Sequence, residues 1–285
     1  MKRIVGVLIF SILLTAALAL SSHSTPPPRG NQDLLRLSDG KSLSLREALP
    51  DIKSAKVILV GELHNEKNHH AFQLEVISSL LQSGLPLAVG MEMFRRDSQE
   101  TLDKWVSGRM ADSEFIKGYY DNWSTPWPLY ADILLFAREH GIPVVGLNVS
   151  REITGQVARS GFASLSEAQR RELPPVTCAI DEEYKRFIQR SLDMHGHQGI
   201  EFNNFCEAQL LWDTAMAWHA VQYLRQNPQR TMVLLAGSGH AWKPGIPRHL
   251  ESMSPLSYRV ILPEIQGRLN RDSATVKDAD YLWTD

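Results

Sequence analysis

The chain has 285 residues, 43% of them hydrophobic and 22% charged, and a formal net charge of −2. That balance gives no basic footprint for nucleic acid and no polybasic patch for a membrane surface. The length can bury one large α/β core. In chain order, residues 1–19 (MKRIVGVLIFSILLTAALA) come first, with Lys2 and Arg3, an apolar run, and the small exit Ala17-Leu18-Ala19. This is the pattern of a secretory signal peptide, and the apolar run is short beside the roughly 20 residues of a membrane span. Export to the periplasm is expected, with an uncleaved anchor as the alternative; no cysteine lies near the cleavage site to carry a lipid. Residues 20–33, with SSHSTPPPRG, read as a disordered leader, and residues 34–285 as a single domain.

Four apolar runs read as buried parallel strands: residues 57–60 (VILV), 87–90 (LAVG), 143–146 (PVVG) and 231–236 (TMVLLA). They lack period-two alternation, as strands covered on both faces do. Helical patterns separate them at residues 71–82, 129–140, 181–194 and 202–225, the first two stopping at Gly84 and Gly141. The expected fold is therefore α/β: an open, mostly parallel sheet flanked by helices, with a helical insertion between strands. Residues 258–265 read as an edge strand, because Pro263 cannot donate to a ladder.

The strand exits share a form. Gly61-Glu62-Leu63-His64, Gly90-Met91-Glu92, Gly146-Leu147-Asn148 and Gly237-Ser238-Gly239-His240 each set a polar side chain just past a glycine. In an open parallel sheet all carboxyl ends lie on one edge, where ligands bind. Glu62, His64, Glu92, Asn148 and His240 are expected to converge there; ordinary loop starters and helix caps are the alternative.

Two histidines and two carboxylates suit a divalent metal, and a metal with an open position would make a hydrolase with Glu62 or Glu92 as its base. The spacing is not that of a local metal motif, since no HExxH helix or cysteine pair is present. Ser238 is a poor nucleophile because no GxSxG elbow surrounds it. No GxGxxG or P-loop points to a nucleotide. Tyr119 to Tyr130 packs five aromatics into a stretch read as a loop leading into a helix, suited either to a large apolar ring or to core packing. His195 and His197 sit in a second loop and are open to iron, to an acidic group, or to solvent. Gln209, Asp213 and Met216 share one helical face that either backs the cluster or meets solvent, while Trp212 and Trp218 are expected in the core. Cys178 and Cys206 read as a disulfide or as two buried thiols.

The segments GELH (61–64), GMEMF (90–94), FAREHGIPVVGLNVSREI (136–153), EAQLLWDTAMA (207–217) and LAGSGHAWKPGIPRHL (235–250) together resemble the ChaN-like haem-binding uptake family of the Tiki-like superfamily. The superfamily's enzymes are metal-dependent proteases with paired GxxH motifs, and both motifs are here, at Gly61 to His64 and Gly237 to His240. The resemblance implies an exported haem-binding protein in haem and iron uptake, with haem bound at a homodimer interface and contact with an outer-membrane haem uptake system. It implies a tyrosine ligand to iron, with histidine and lysine on the propionates. Tyr130 is the first choice on its WPLYADILLFAREHGIP context, then Tyr119 and Tyr120, with His195 and His197 as further candidates and Lys243 as the lysine. Tyrosinate is a sound ligand for ferric haem. Glu62, His64, Glu92 and His240 then remain as a metal site, occupied or vestigial.

Overall fold

The short apolar runs form the middle of a single sheet. The computed structural model describes residues 33–176, 180–191 and 201–284. The signal-peptide residues, the leader up to residue 32, Cys178, His195 and His197 lie outside them. The strands are β1 (Asp33–Arg36), β2 (Lys41–Ser44), β3 (Val57–Glu62), β4 (Leu87–Arg95), β5 (Val144–Asn148), β6 (Thr231–Gly237), β7 (Tyr258–Pro263) and β8 (Tyr281–Thr284). Their order is β2-β1-β8-β7-β3-β6-β4-β5. Pairing from β8 through to β5 is parallel, and β1 joins β2 and β8 antiparallel.

The helices are α1 (Leu45–Ile52), α2 (Lys67–Gln82), α3 (Gln99–Val106), α4 (Asp112–Asn122), α5 (Trp127–Glu139), α6 (Arg151–Ser160), α7 (Glu167–Glu172), α8 (Glu182–Ser191), α9 (Phe202–Gln226), α10 (Ser238–Ala241) and α11 (Ile246–Met253). They cover both faces of the sheet, and strand side chains alternate between the two layers. Ile58, Val60, Val89, Met91, Val233 and Leu235 pack with α1 to α5. Val57, Leu59, Ala88, Met232, Leu234 and Ala236 pack with α8 to α11. Because both faces are buried, the sequence shows continuous apolar runs instead of alternation. Gly84 and Gly141 follow α2 and α5 with φ of +84° and +59°, a left-handed stop that glycine adopts without strain. Among the described residues no helix is long and apolar enough to cross a membrane.

Two expectations need correction. The strand at Pro263 is not an edge: β7 lies between β3 and β8. Its pairing with β3 ends at Val60 and Ile261, before the proline. Glu264 N–H, not the proline, bonds to Trp283 O at 2.9 Å, so no ladder bond is lost. Second, the aromatic stretch opens in a helix. Phe115, Tyr119 and Asn122 are the buried residues of α4, spaced four and three along one face.

Candidate functional site

Three adjacent strands, β3, β6 and β4, deliver the polar residues to one sheet edge. β3 ends on Glu62, which is buried, and His64 follows two residues on. β6 ends on Gly237, and α10 begins there and carries His240. Glu92 falls where the register between β4 and β5 shifts, between Met91 and Arg95; such irregularities re-aim side chains. Asn148, the last residue of β5, donates from Nδ2 to the Glu92 carbonyl at 2.9 Å. The five strand-exit residues are thus brought together.

His64 Nδ1 lies 2.7 Å from Glu62 Oε1, and its Nε2 lies 3.9 Å from Glu92 Oε1. His240 repeats the arrangement, with Nδ1 2.7 Å from Asp213 Oδ1 and Nε2 3.7 Å from the same Glu92 Oε1. The Gly237 N–H donates to Glu92 Oε2 at 2.7 Å. Tyr130 donates its hydroxyl to Glu62 Oε1, and Tyr184 donates to Asp213 Oδ2 at 2.9 Å. His70 Nε2 stands 3.4 Å from Glu62 Oε2, without hydrogen-bond alignment. The His64 side chain is 37% exposed, so the cluster opens to solvent on that side, whereas that of His240 is only 9% exposed.

The charges follow from these neighbours. Burial works against ionised Glu62, but His64 and His70 outweigh it and hold the carboxyl well below its ordinary range. Burial likewise works against charged His240, but Glu92 and Asp213 raise its pKa to about 9. His64 is raised for similar reasons, by Glu92 and Glu62 against its burial. Burial, then the charge of Glu62, pushes the Tyr130 phenol far up, so it remains a neutral donor.

The expected ligand-binding residues are placed very differently from one another. Tyr130 is fully buried and committed to Glu62. Tyr119 is fully buried and donates to Thr125 O at 2.7 Å. Tyr120 is 50% exposed, and its oxygen accepts from Trp127 N–H at 3.0 Å. Lys243 leads away from the cluster, its Nζ 2.8 Å from both Val276 O and Asp280 Oδ1. A cavity of about 370 Å³ lined by Arg36, Asp51, Arg259 and Tyr281 touches none of the cluster residues.

The divalent-metal expectation for Glu62, His64, Glu92 and His240 is not supported. Among the described residues no three His, Cys, Asp or Glu side chains are arranged to hold a metal ion. Both Nδ1 atoms are held by carboxylates and Glu92 Oε2 by a backbone N–H, which leaves the two Nε2 atoms and Glu92 Oε1 facing one another. Ser238 is buried with no partner for Oγ, so no base activates it. Cys206 is a free buried thiol, its pKa raised to about 11 by burial. Trp212, expected in the core, is half-buried and meets the His240 ring edge-on, with centroids 5.6 Å apart.

The sequence does not mark His70 or Tyr184 as site residues, and it marks Asp213 only as a backing residue. His70 had a signal in the HNEKNHH run that follows β3. Tyr184 had none, being one aromatic on an amphipathic helix, 29 residues from Asp213.

A family model described as haem-binding uptake, Tiki superfamily, ChaN, matches residues 48–250. No curated protein matches the chain. Among solved structures, the ChaN protein of Campylobacter jejuni, described with cofacial haem binding, is 21% identical with a TM-score of 0.69, over 89% of this chain and 96% of that one. The type III effector HopBA1 is 12% identical with a TM-score of 0.52, over 84% of this chain and 92% of that one. A variant of the erythromycin esterase EreC in its open conformation is 14% identical with a TM-score of 0.50, over 89% and 82%. At these identities the structures speak for the fold.

Proposed function

The chain belongs to the haem-binding uptake family of the Tiki superfamily that includes ChaN, and from that premise we propose that it binds haem and serves haem or iron uptake after export. Family membership over residues 48–250 is the observation that carries this reading. The fold shared with a protein described as binding haem cofacially agrees with it.

A haem ligand needs an uncommitted atom on an open apolar face. Tyr119 and Tyr130 meet neither condition. Tyr120 has the open position: its ring is half exposed, and its oxygen accepts one hydrogen bond, from Trp127 N–H, which leaves a second lone pair for iron and the phenol hydrogen uncommitted. We therefore assign the iron ligand to Tyr120, with His195 and His197 as the next candidates. Haem would bring the iron and a broad flat surface; the chain would supply a ligand oxygen and apolar cover. One exposed tyrosine covers little of such a ring, and bound ligands of this size are mostly buried. A second copy of the chain would complete the cover, which makes a haem-bridged homodimer part of the proposal. A role in uptake also implies a periplasmic location and contact with an outer-membrane haem uptake system.

Tyr120→Phe tests the assignment, because it keeps the ring and removes the phenol oxygen. The ferric Soret band should shift and haem binding weaken, while Tyr130→Phe should leave the band in place. The reverse outcome would return the ligand to Tyr130; an unchanged band in both would move it to His195 or His197.

A further inference from the structure

The cluster at the sheet edge has a second arm that the strands alone do not explain. His64 is held at Nδ1 by Glu62, which accepts in turn from the Tyr130 hydroxyl. His240 is held at Nδ1 by Asp213, which accepts from the Tyr184 hydroxyl. Each imidazole also meets one indole edge-on, His64 with Trp123 at 5.0 Å and His240 with Trp212 at 5.6 Å between centroids. Both indole Nε1 atoms are buried without a hydrogen-bond partner among the described residues. The two Nε2 atoms face one oxygen, Glu92 Oε1, at 3.9 and 3.7 Å.

The two arms come from different layers. Tyr130 lies on α5 and Glu62 on β3, in the layer of α1 to α5. Tyr184 and Asp213 lie on α8 and α9, in the opposite layer, and both are almost fully buried. A purely structural role fits such an arm poorly. Buried ionic groups are costly to desolvate, and apolar side chains of similar size commonly do as well or better for stability. A carboxylate on the far nitrogen of a histidine fixes its ring orientation and the place of its proton, leaving the other nitrogen to act.

We propose that the α8–α9 insertion completes this site. Tyr184 and Asp213 are positioning residues that hold His240 as Tyr130 and Glu62 hold His64, so that both imidazoles keep Nδ1 on a carboxylate and present Nε2 to Glu92 Oε1. The cluster is on this account a maintained site, with the two Nε2 atoms and Glu92 Oε1 left facing one another. Neither Tyr184 nor Asp213 touches Tyr120, so the inference stands whether or not haem binds there.

Nuclear magnetic resonance of the full protein with isotope-labelled histidine tests it. A ring N–H bonded to a buried carboxylate gives a far-downfield proton signal protected from exchange. Two such Nδ1–H signals are expected, assigned by their loss in His64→Gln and His240→Gln. Asp213→Ala should remove the His240 signal and leave that of His64. Tyr184→Phe, which keeps the ring and the packing, should shift the His240 signal alone, and Tyr130→Phe the His64 signal alone. If Asp213→Ala fails to fold, Tyr184→Phe and Tyr130→Phe still decide the matter. Retention of the His240 signal in Asp213→Ala, or a Tyr184→Phe spectrum in which neither signal moves, would overturn the proposal.

Discussion

Gly237 shows how little room the cluster leaves. A Cβ there would sit 3.0 Å from His64 Cε1, 3.1 Å from its Nε2 and 3.5 Å from Glu92 Oε2. Gly237→Ala should therefore push His64 off Glu92 and cost about 1–3 kcal/mol, the usual scale for overpacking; urea unfolding would measure it. The titrating groups give a second expectation. His240 is raised from 6.5 to about 9 in the folded chain, so its contribution is complete below pH 6.5 and is lost as pH rises through about 9. At about 1.4 kcal/mol per pKa unit this is on the order of 3 kcal/mol. Glu62 has the opposite sign: held below its ordinary 4.5, it stabilises above that pH, and the contribution is lost as pH falls below it. Unfolding free energy measured across the alkaline range should decline in the native protein and much less in His240→Gln. An equal decline in both would mean that His240 is not held charged.

At the scale of the elements, β5 is the outer strand of the parallel sheet, and a glutamine side chain caps part of its free edge. Gln99, at the start of α3, donates to Val144 O at 2.8 Å and accepts from Gly146 N–H at 3.1 Å. Open edges invite pairing with other chains. Gln99→Ala should cost about 1–3 kcal/mol through the unpaired strand groups and raise aggregation on light scattering. This cover was not visible in the sequence, because a glutamine at a helix start has many uses. The buried strands were legible, because two-sided burial forces VILV, LAVG, PVVG and TMVLLA into apolar runs. Their exits were legible for the same reason, since glycine and a polar group break each run. The β1–β2 hairpin and β8 were not, because four-residue strands such as KSLS and YLWT are too short to show a period. Asp213 was legible only as a polar position on a helical face; its partnership with Tyr184 depends on the packing of α8 on α9.

Across the whole molecule, the two proposals fall on separate surfaces. The sheet edge gathers Glu62, His64, Glu92 and His240 around buried charge, while Tyr120 stands on α4 with its ring half in solvent. The haem reading concerns the second surface and the positioning of the two histidines the first. Glu92→Gln should accordingly leave haem affinity nearly intact. The most direct measurement adds ferric haem to the purified protein, following the Soret band and the mass by light scattering in the same titration. A saturable Soret band, with the mass moving from one chain towards two, is the predicted result. A protein that gives no Soret band and no change in mass, yet cleaves a peptide or ester in a reaction abolished by Glu92→Gln, would contradict it.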